Sequence, residues 1–212
     1  TKNGTELCDR PFVNNPKSAA QTAVRSAFSK VTKQWKSLSS AQAAAWNAYA
    51  ASITETEQVT GAKTKRSGFN WFVSLGARYL WVNEGQATAP TTPPTTAFTG
   101  DSIKVTASAV AGGIKFTASA ANTSGVTTAL QVQKLSSANG KPGAKYTTKA
   151  HMEFKSGTLE KTISVPPGTY AVAIQYVSLA TGQETVSEAI GKVGPVSFVL
   201  ACTDTNSKKK AA

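Results

Sequence analysis

The sequence predicts an α+β protein with more than one domain: an N-terminal arm and a three-helix unit, followed by an antiparallel β-sandwich. Apolar residues recur at helical spacing as far as residue 82, then alternate with a period of two between residues 98 and 200. Between the two regimes lies a Pro- and Thr-rich stretch with no apolar period. The chain has 212 residues, 40% of them hydrophobic, enough for one large packed domain or two small ones.

No run approaches the roughly 18–20 consecutive apolar residues of a membrane helix, and the N-terminus lacks the charged-then-apolar pattern of a signal peptide. A soluble, mature chain is expected. Thr1 is the first residue and Met152 the only methionine, which fits loss of an initiator methionine, processing of a precursor or an artificial boundary.

Residues 1–16, TKNGTELCDRPFVNNP, are predicted to be an extended arm. Isolated Leu7, Phe12 and Val13 cannot bury much alone, and Asn14-Asn15-Pro16 breaks structure before a helix. The arm either frays or docks its apolar side chains on another part of the molecule or on a neighbouring subunit.

Residues 17–82 are predicted to be a helical anchor domain. Ala20, Val24, Phe28, Val31, Trp35 and Leu38 fall on one stripe at spacings of three and four. Ser39 with Gln42 has capping-box form, and Trp46, Tyr49, Ala50 and Ile53 then recur at helical spacing. Thr54 to Arg66 reads as a polar loop. A third helix is expected over GFNWFVSLGARYLWV, residues 68–82, beginning at Ser67.

The predicted helical core is Val24, Phe28, Val31, Trp35, Leu38, Trp46, Ile53 and Phe69. The third helix is apolar nearly all round, so part of it needs cover from the second domain or from another chain. Phe12, Val13, Trp71, Phe72, Leu75 and Trp81 are therefore the candidate subunit-interface residues.

Residues 83–97, NEGQATAPTTPPTTA, are predicted to form a semi-rigid linker. Residues 98–200 are predicted to form about seven strands. They run through Ile103–Ala107, Ile114–Ala118, Val126–Val132, Tyr146–Phe154, Leu159–Val165, Tyr170–Tyr176 and Val196–Leu200, with Gly and Pro turns between them. Residues 201–212 form a basic tail in which three lysines, Lys208 to Lys210, offer at most a weak grip on anionic material.

The charge balance is 23 Lys/Arg against 11 Asp/Glu, a formal +12, and it favours acidic partners. It is spread evenly, with 11 basic against 5 acidic residues in 1–97 and 12 against 6 in 98–212. Catalytic signatures are missing. The single histidine, His151, sits on the predicted strand face opposite Ala150 and Met152 and is expected to face solvent. With one histidine and two distant cysteines there is no H-E-x-x-H site and no Cys/His cluster, and there is no phosphate-binding glycine loop. The expectation is a protein that is not an enzyme and has neither cofactor nor metal. Cys8 and Cys202 are expected to be free thiols, although the sequence alone does not exclude a bridge between them.

Two resemblances follow from these residues. The segment PPGTYAVAIQYVSLATGQETVS resembles the last third of a fibronectin type III domain, which implies that Tyr170 is a corner tyrosine bonding back to upstream backbone and that Gly182 lies in the next hairpin. The sandwich is thus expected to be immunoglobulin-like or fibronectin type III-like; the absence of a Cys…Trp…Cys set argues against a true antibody-type domain.

The second resemblance covers residues 14–82. Asn15, Pro16, Lys17, Ala20, Gln21, Arg25, Phe28, Trp35, Leu38, Ser39, Gln42, Ala45, Trp46 and Asn47, continued by Ser67, Gly68, Phe69, Asn70, Phe72 and Val73, resemble a pattern in small proteins encoded by tailed bacteriophages and prophages. Ala43-Ala44 departs from it, because relatives carry a charged residue there.

The resemblance implies a virion structural protein, located in the virion and assembled in the host cytoplasm, as a capsid decoration, connector or tail component. Its implied partners are other virion proteins and copies of itself. Two other classes compete. A surface adhesin or carbohydrate-binding module would share the sandwich, but residues 98–200 contain no tryptophan to serve as an aromatic platform. A nucleic-acid-binding protein would account for the +12 and would bind less tightly as salt rises.

Overall fold

The computed structural model describes residues 19–56 and 63–197. The predicted arm with Phe12 and Val13, both cysteines and the basic tail lie outside these residues.

Three helices come first: α1 (Ala19–Trp35), α2 (Ser40–Ser52) and α3 (Gly68–Val82). Their starts follow local chemistry. The Ser39 hydroxyl accepts from the Gln42 N–H at 3.2 Å while the Gln42 side chain accepts from the Ser39 N–H at 2.9 Å, closing the capping box that begins α2. Ser67 caps α3 in the same manner, accepting from the Asn70 N–H. The first helix is shorter than its apolar stripe: it ends at Trp35, and Lys36 to Leu38 form a tight turn in which Leu38 still packs on the helical core.

Between α2 and α3 the predicted polar loop contains a minimal antiparallel pair, β1 (Glu55–Thr56) with β2 (Lys63–Thr64). The Glu55 carboxylate pairs with Arg66 at 2.6 Å beside it.

The helices enclose Val31, Trp46, Phe72, Val73, Leu75 and Leu80. Aromatic rings meet there at angles. Phe72 lies 5.4 Å from Trp35 and 5.3 Å from Trp46, and Trp35 meets Phe69 edge-on at 5.6 Å. Gly76 lets α1 and α3 touch, because a Cβ there would lie 2.8 Å from a Val31 methyl.

The predicted semi-rigid linker is fastened to the helices as a strap at Ala89 and Thr91. Ala89 is buried in the helical core. Its backbone is clamped by both ends of one side chain: Gln34 Nε2 donates to the Ala89 carbonyl at 2.7 Å and Gln34 Oε1 accepts from the Ala89 N–H at 2.8 Å. Two residues on, the Trp46 indole N–H donates to the Thr91 carbonyl at 2.9 Å.

The remainder forms two antiparallel sheets packed face to face. One has the order β3 (Val105–Val110), β4 (Gly113–Ala118), β7 (Glu160–Ser164). The other has the order β6 (Thr147–Met152), β5 (Val126–Leu135), β8 (Gly168–Ser178), β9 (Glu188–Val196). Alternation sets the faces: Leu130, Val132, Val172 and Ile174 point inward against Ile114, Phe116, Phe154 and Ile163.

The Tyr170 hydroxyl donates to the Pro166 carbonyl at 2.7 Å, and the Tyr176 hydroxyl to the Ile103 carbonyl at 2.6 Å, so each buried ring keeps its polar end satisfied. Of the last predicted strand, Val196–Leu200, residues 198–200 lie outside the described residues; the strand that is described reaches Val196 from Glu188 through Gly191, Gly194 and Pro195. Two register shifts along this edge erased the alternation from the sequence.

Candidate subunit interface

α1 and α3 run antiparallel, Val31 lying opposite Gly76 and Ala27 near Leu80. α3 stops at Val82, so the N-terminal half of α1 has less helix to lie against. Val24 and Phe28, expected in the core, are 50% and 53% exposed. At about 100° per residue, Phe28 stands roughly 60° around the helix from Val31, while Ala27 lies nearer the line that meets α3. Phe28 therefore leans over the flank, at a groove of about 440 Å³ shared with Phe69, Val73 and Ala77. On the other flank Ala23, Ala27, Leu80 and Trp81 line a second groove of about 480 Å³.

The other core expectations divide. Val31 and Trp46 are buried, and Trp35, Leu38 and Phe69 pack partly buried against them. Ile53 is not in the core; it is the C-cap of α2, in extended conformation, with its N–H donating to the Ala50 carbonyl.

Of the interface candidates, Phe72 and Leu75 are interior residues. Helix α3 is wedged between α1, α2, the strap and the sandwich, so most of its apolar circumference is covered within one chain. Trp71 is half-buried, edge-on to Tyr49 at 5.8 Å, with the Arg66 guanidinium 5.1 Å over its ring. Its indole N–H has no hydrogen-bond partner among the described residues. Trp81 is 45% exposed.

Cover for α3 from the second domain was one of the two alternatives expected, and the joint that supplies it rests on contacts no local pattern paired. The loop after β8 presses on α3: Gly182 adopts φ +73°, and a side chain there would run into the Leu75 carbonyl and the Tyr79 N–H. Arg78 donates to the Gly182 carbonyl at 3.1 Å and pairs with Glu184 at 2.6 Å. Burial pushes the Glu184 carboxyl up and the Arg78 guanidinium down, and each charge opposes the shift of the other. The Asn83 amide donates to the Tyr79 and Leu179 carbonyls, tying the end of α3 to the sandwich. Arg78 and Gly182 were visible in the sequence, but nothing local paired residues 104 positions apart.

His151 is on the outer face of its strand as expected, yet it does not face open solvent. The Trp81 ring stands across it at 4.7 Å and 80°. Burial holds the imidazole below its ordinary pKa, and the Arg78 cation adds to that.

Among the described residues no group of three or more His, Cys, Asp or Glu side chains is placed to hold a metal ion, and no helix is long and apolar enough to cross a membrane. No family model matches the chain, and no curated protein matches it.

Proposed function

We propose that this chain is a non-enzymatic structural protein of a bacteriophage virion, docking through its helical unit on neighbouring virion subunits while the sandwich braces or is displayed. The observation that carries the reading is that α1, the helix bearing the phage-like pattern, leaves Val24 and Phe28 half exposed, one turn apart on the same flank of its packed line. These two apolar side chains, with the shallow groove that Phe28 shares with Phe69 and Val73, make a patch that a symmetric shell or ring of subunits would cover. The partners are other virion proteins and further copies of this chain, with position on the capsid, connector or tail set by the subunit that covers the patch. Phe12 and Val13, which precede α1 in the chain, are read as adding to the same contact.

We read the sandwich as fibronectin type III-like. Support comes from the strand order in its two sheets and from the Tyr170 hydroxyl bonded to the Pro166 carbonyl at the start of β8.

The test is sedimentation of particles from a producing lysate, with mass spectrometry of the heavy fraction. The protein is expected there in stoichiometric amount, and a Val24→Ser/Phe28→Ser variant with an unchanged circular dichroism spectrum is expected to fall at least about tenfold in incorporation. Recovery of the wild type only as a small soluble species, or normal incorporation of the variant, overturns the proposal.

A further inference from the structure

The sandwich contributes no tryptophan of its own, but the fold brings one to it. Trp81, on the last turn of α3, stands over the outer end of the four-stranded sheet with its ring perpendicular to His151. The two elements meet as a corner. Trp81, Asn83 and Glu84 form one wall, and Thr127, Lys149, His151 and Glu153 of the sheet side form the other. The corner encloses about 580 Å³, within the roughly 300–1,000 Å³ typical of small-ligand clefts.

We propose that this corner binds a short oligosaccharide, with the apolar face of one pyranose ring laid on the Trp81 indole. The chemistry of the walls favours a sugar over another subunit. A protein-binding surface concentrates apolar groups at its centre and depletes charge there. This corner instead has one aromatic ring, 45% exposed, surrounded by two carboxylates, an ammonium and an imidazole.

A pyranose presents that combination in mirror form, with C–H groups on its face and hydroxyls around its rim. Glu84 and Glu153 accept hydrogen bonds from hydroxyls, and Lys149 donates to hydroxyl and ring oxygens. Lys155 lies 3.4 Å from Glu153 and adds a second cation beside it. Asn83 is held at the vertex by its bonds to the Tyr79 and Leu179 carbonyls, which fixes the angle between the walls before any ligand arrives. A β-linked chain of equatorial sugars, whose rings present flat apolar faces, suits an indole platform best.

This inference does not depend on the virion reading, because the corner and the Val24/Phe28 patch rest on different side chains. The full chain is titrated with chitotriose, cellotriose and maltotriose, following tryptophan fluorescence and ligand-observed NMR, and is also applied to an array of bacterial oligosaccharides. Binding of at least one β-linked oligosaccharide is expected. Trp81→Ala should weaken it at least about tenfold and Lys149→Ala severalfold, whereas Val24→Ser/Phe28→Ser should leave it unchanged. Lys149 is exposed, so its variant remains informative even if Trp81→Ala loosens the joint. Absence of binding both to the three trisaccharides at millimolar concentration and across the array overturns the proposal. So does binding that neither Trp81→Ala nor Lys149→Ala alters, or a Trp81 that only particle assembly, and no sugar, covers.

Discussion

The sandwich closes on itself, whereas the helical unit borrows to close. In the sandwich two sheets turn their alternating faces toward each other, and Ile114, Phe116, Leu130, Phe154, Val172 and Ile174 are buried without help from outside residues 98–197. The helical unit has larger side chains and fewer layers. Its core needs Ala89 from the strap as a plug, its Trp46 indole needs the Thr91 carbonyl, and the α3 backbone at Leu75 and Tyr79 is met by the loop at Gly182. Even so, α1 keeps Val24 and Phe28 half in water. A two-layer sandwich of about a hundred residues can be self-sufficient, while three short helices with four tryptophans have more apolar surface than they can wrap.

The strongest way to break this comparison is to open the helical core. Phe72→Ala removes the ring between Trp35 and Trp46 and should cost about 3–5 kcal/mol. All four tryptophans are in the helical unit, with Trp35, Trp46 and Trp71 at its core and Trp81 at its seam with the sandwich, so tryptophan fluorescence during denaturation follows chiefly that unit. The expected outcome is early loss of the fluorescence transition while the β-type far-UV signal persists. Simultaneous loss of both signals would show that the joint makes the two units one cooperative body.

The joint itself comes next. Arg78→Ala leaves the Glu184 carboxylate part-buried and unpaired, at a cost of about 1–3 kcal/mol. Both units should retain their secondary structure while proteolysis in the 179–185 loop accelerates. An unchanged cleavage rate would mean that Gly182 and Asn83 hold the joint by themselves.

A matched pair sharpens the contrast further. Tyr170→Phe loses one buried hydrogen bond in the sandwich, worth roughly 0.5–1.5 kcal/mol, and Ser39→Ala loses the α2 cap, worth about 1 kcal/mol. The two are similar in size, but only Ser39→Ala should move the fluorescence midpoint.

The smallest effect is in pH. His151 titrates in the folded protein below its ordinary 6.5, so as pH falls through that value the unfolded chain takes up the proton first. Stability from the neutral imidazole is complete above about pH 6.5 and declines below it. Melting temperature between pH 7.5 and 5.5 should fall more for the wild type than for His151→Gln, and equal slopes would assign the loss to other groups.

What the residues disclosed and what they hid follow physical lines. Ser39, Gln42 and Ser67 gave away two helix starts because capping is an interaction between residues two or three apart. Leu130, Val132, Val172 and Ile174 announced an inner sheet face by alternation alone. Val24 and Phe28 were misplaced because periodicity shows which side of a helix is apolar, not how far its partner extends. Phe72 and Leu75 were assigned to an interface because an all-apolar helix shows that cover is needed, without saying what supplies it. The final strand was hidden by Gly191, Gly194 and Pro195, which leave too few side chains for a period to be read.

The sequence by itself determined the local elements, the change of period near residue 98 and the inward face of the sheets, since all of these depend on spacing along the chain and on side-chain polarity. Only the tertiary structure decided that residues 83–97 strap the helices, that Arg78 finds Glu184, and that Trp81 stands over the sandwich beside His151. Those contacts join residues tens of positions apart, and their geometry depends on how rigid elements of fixed length end against one another.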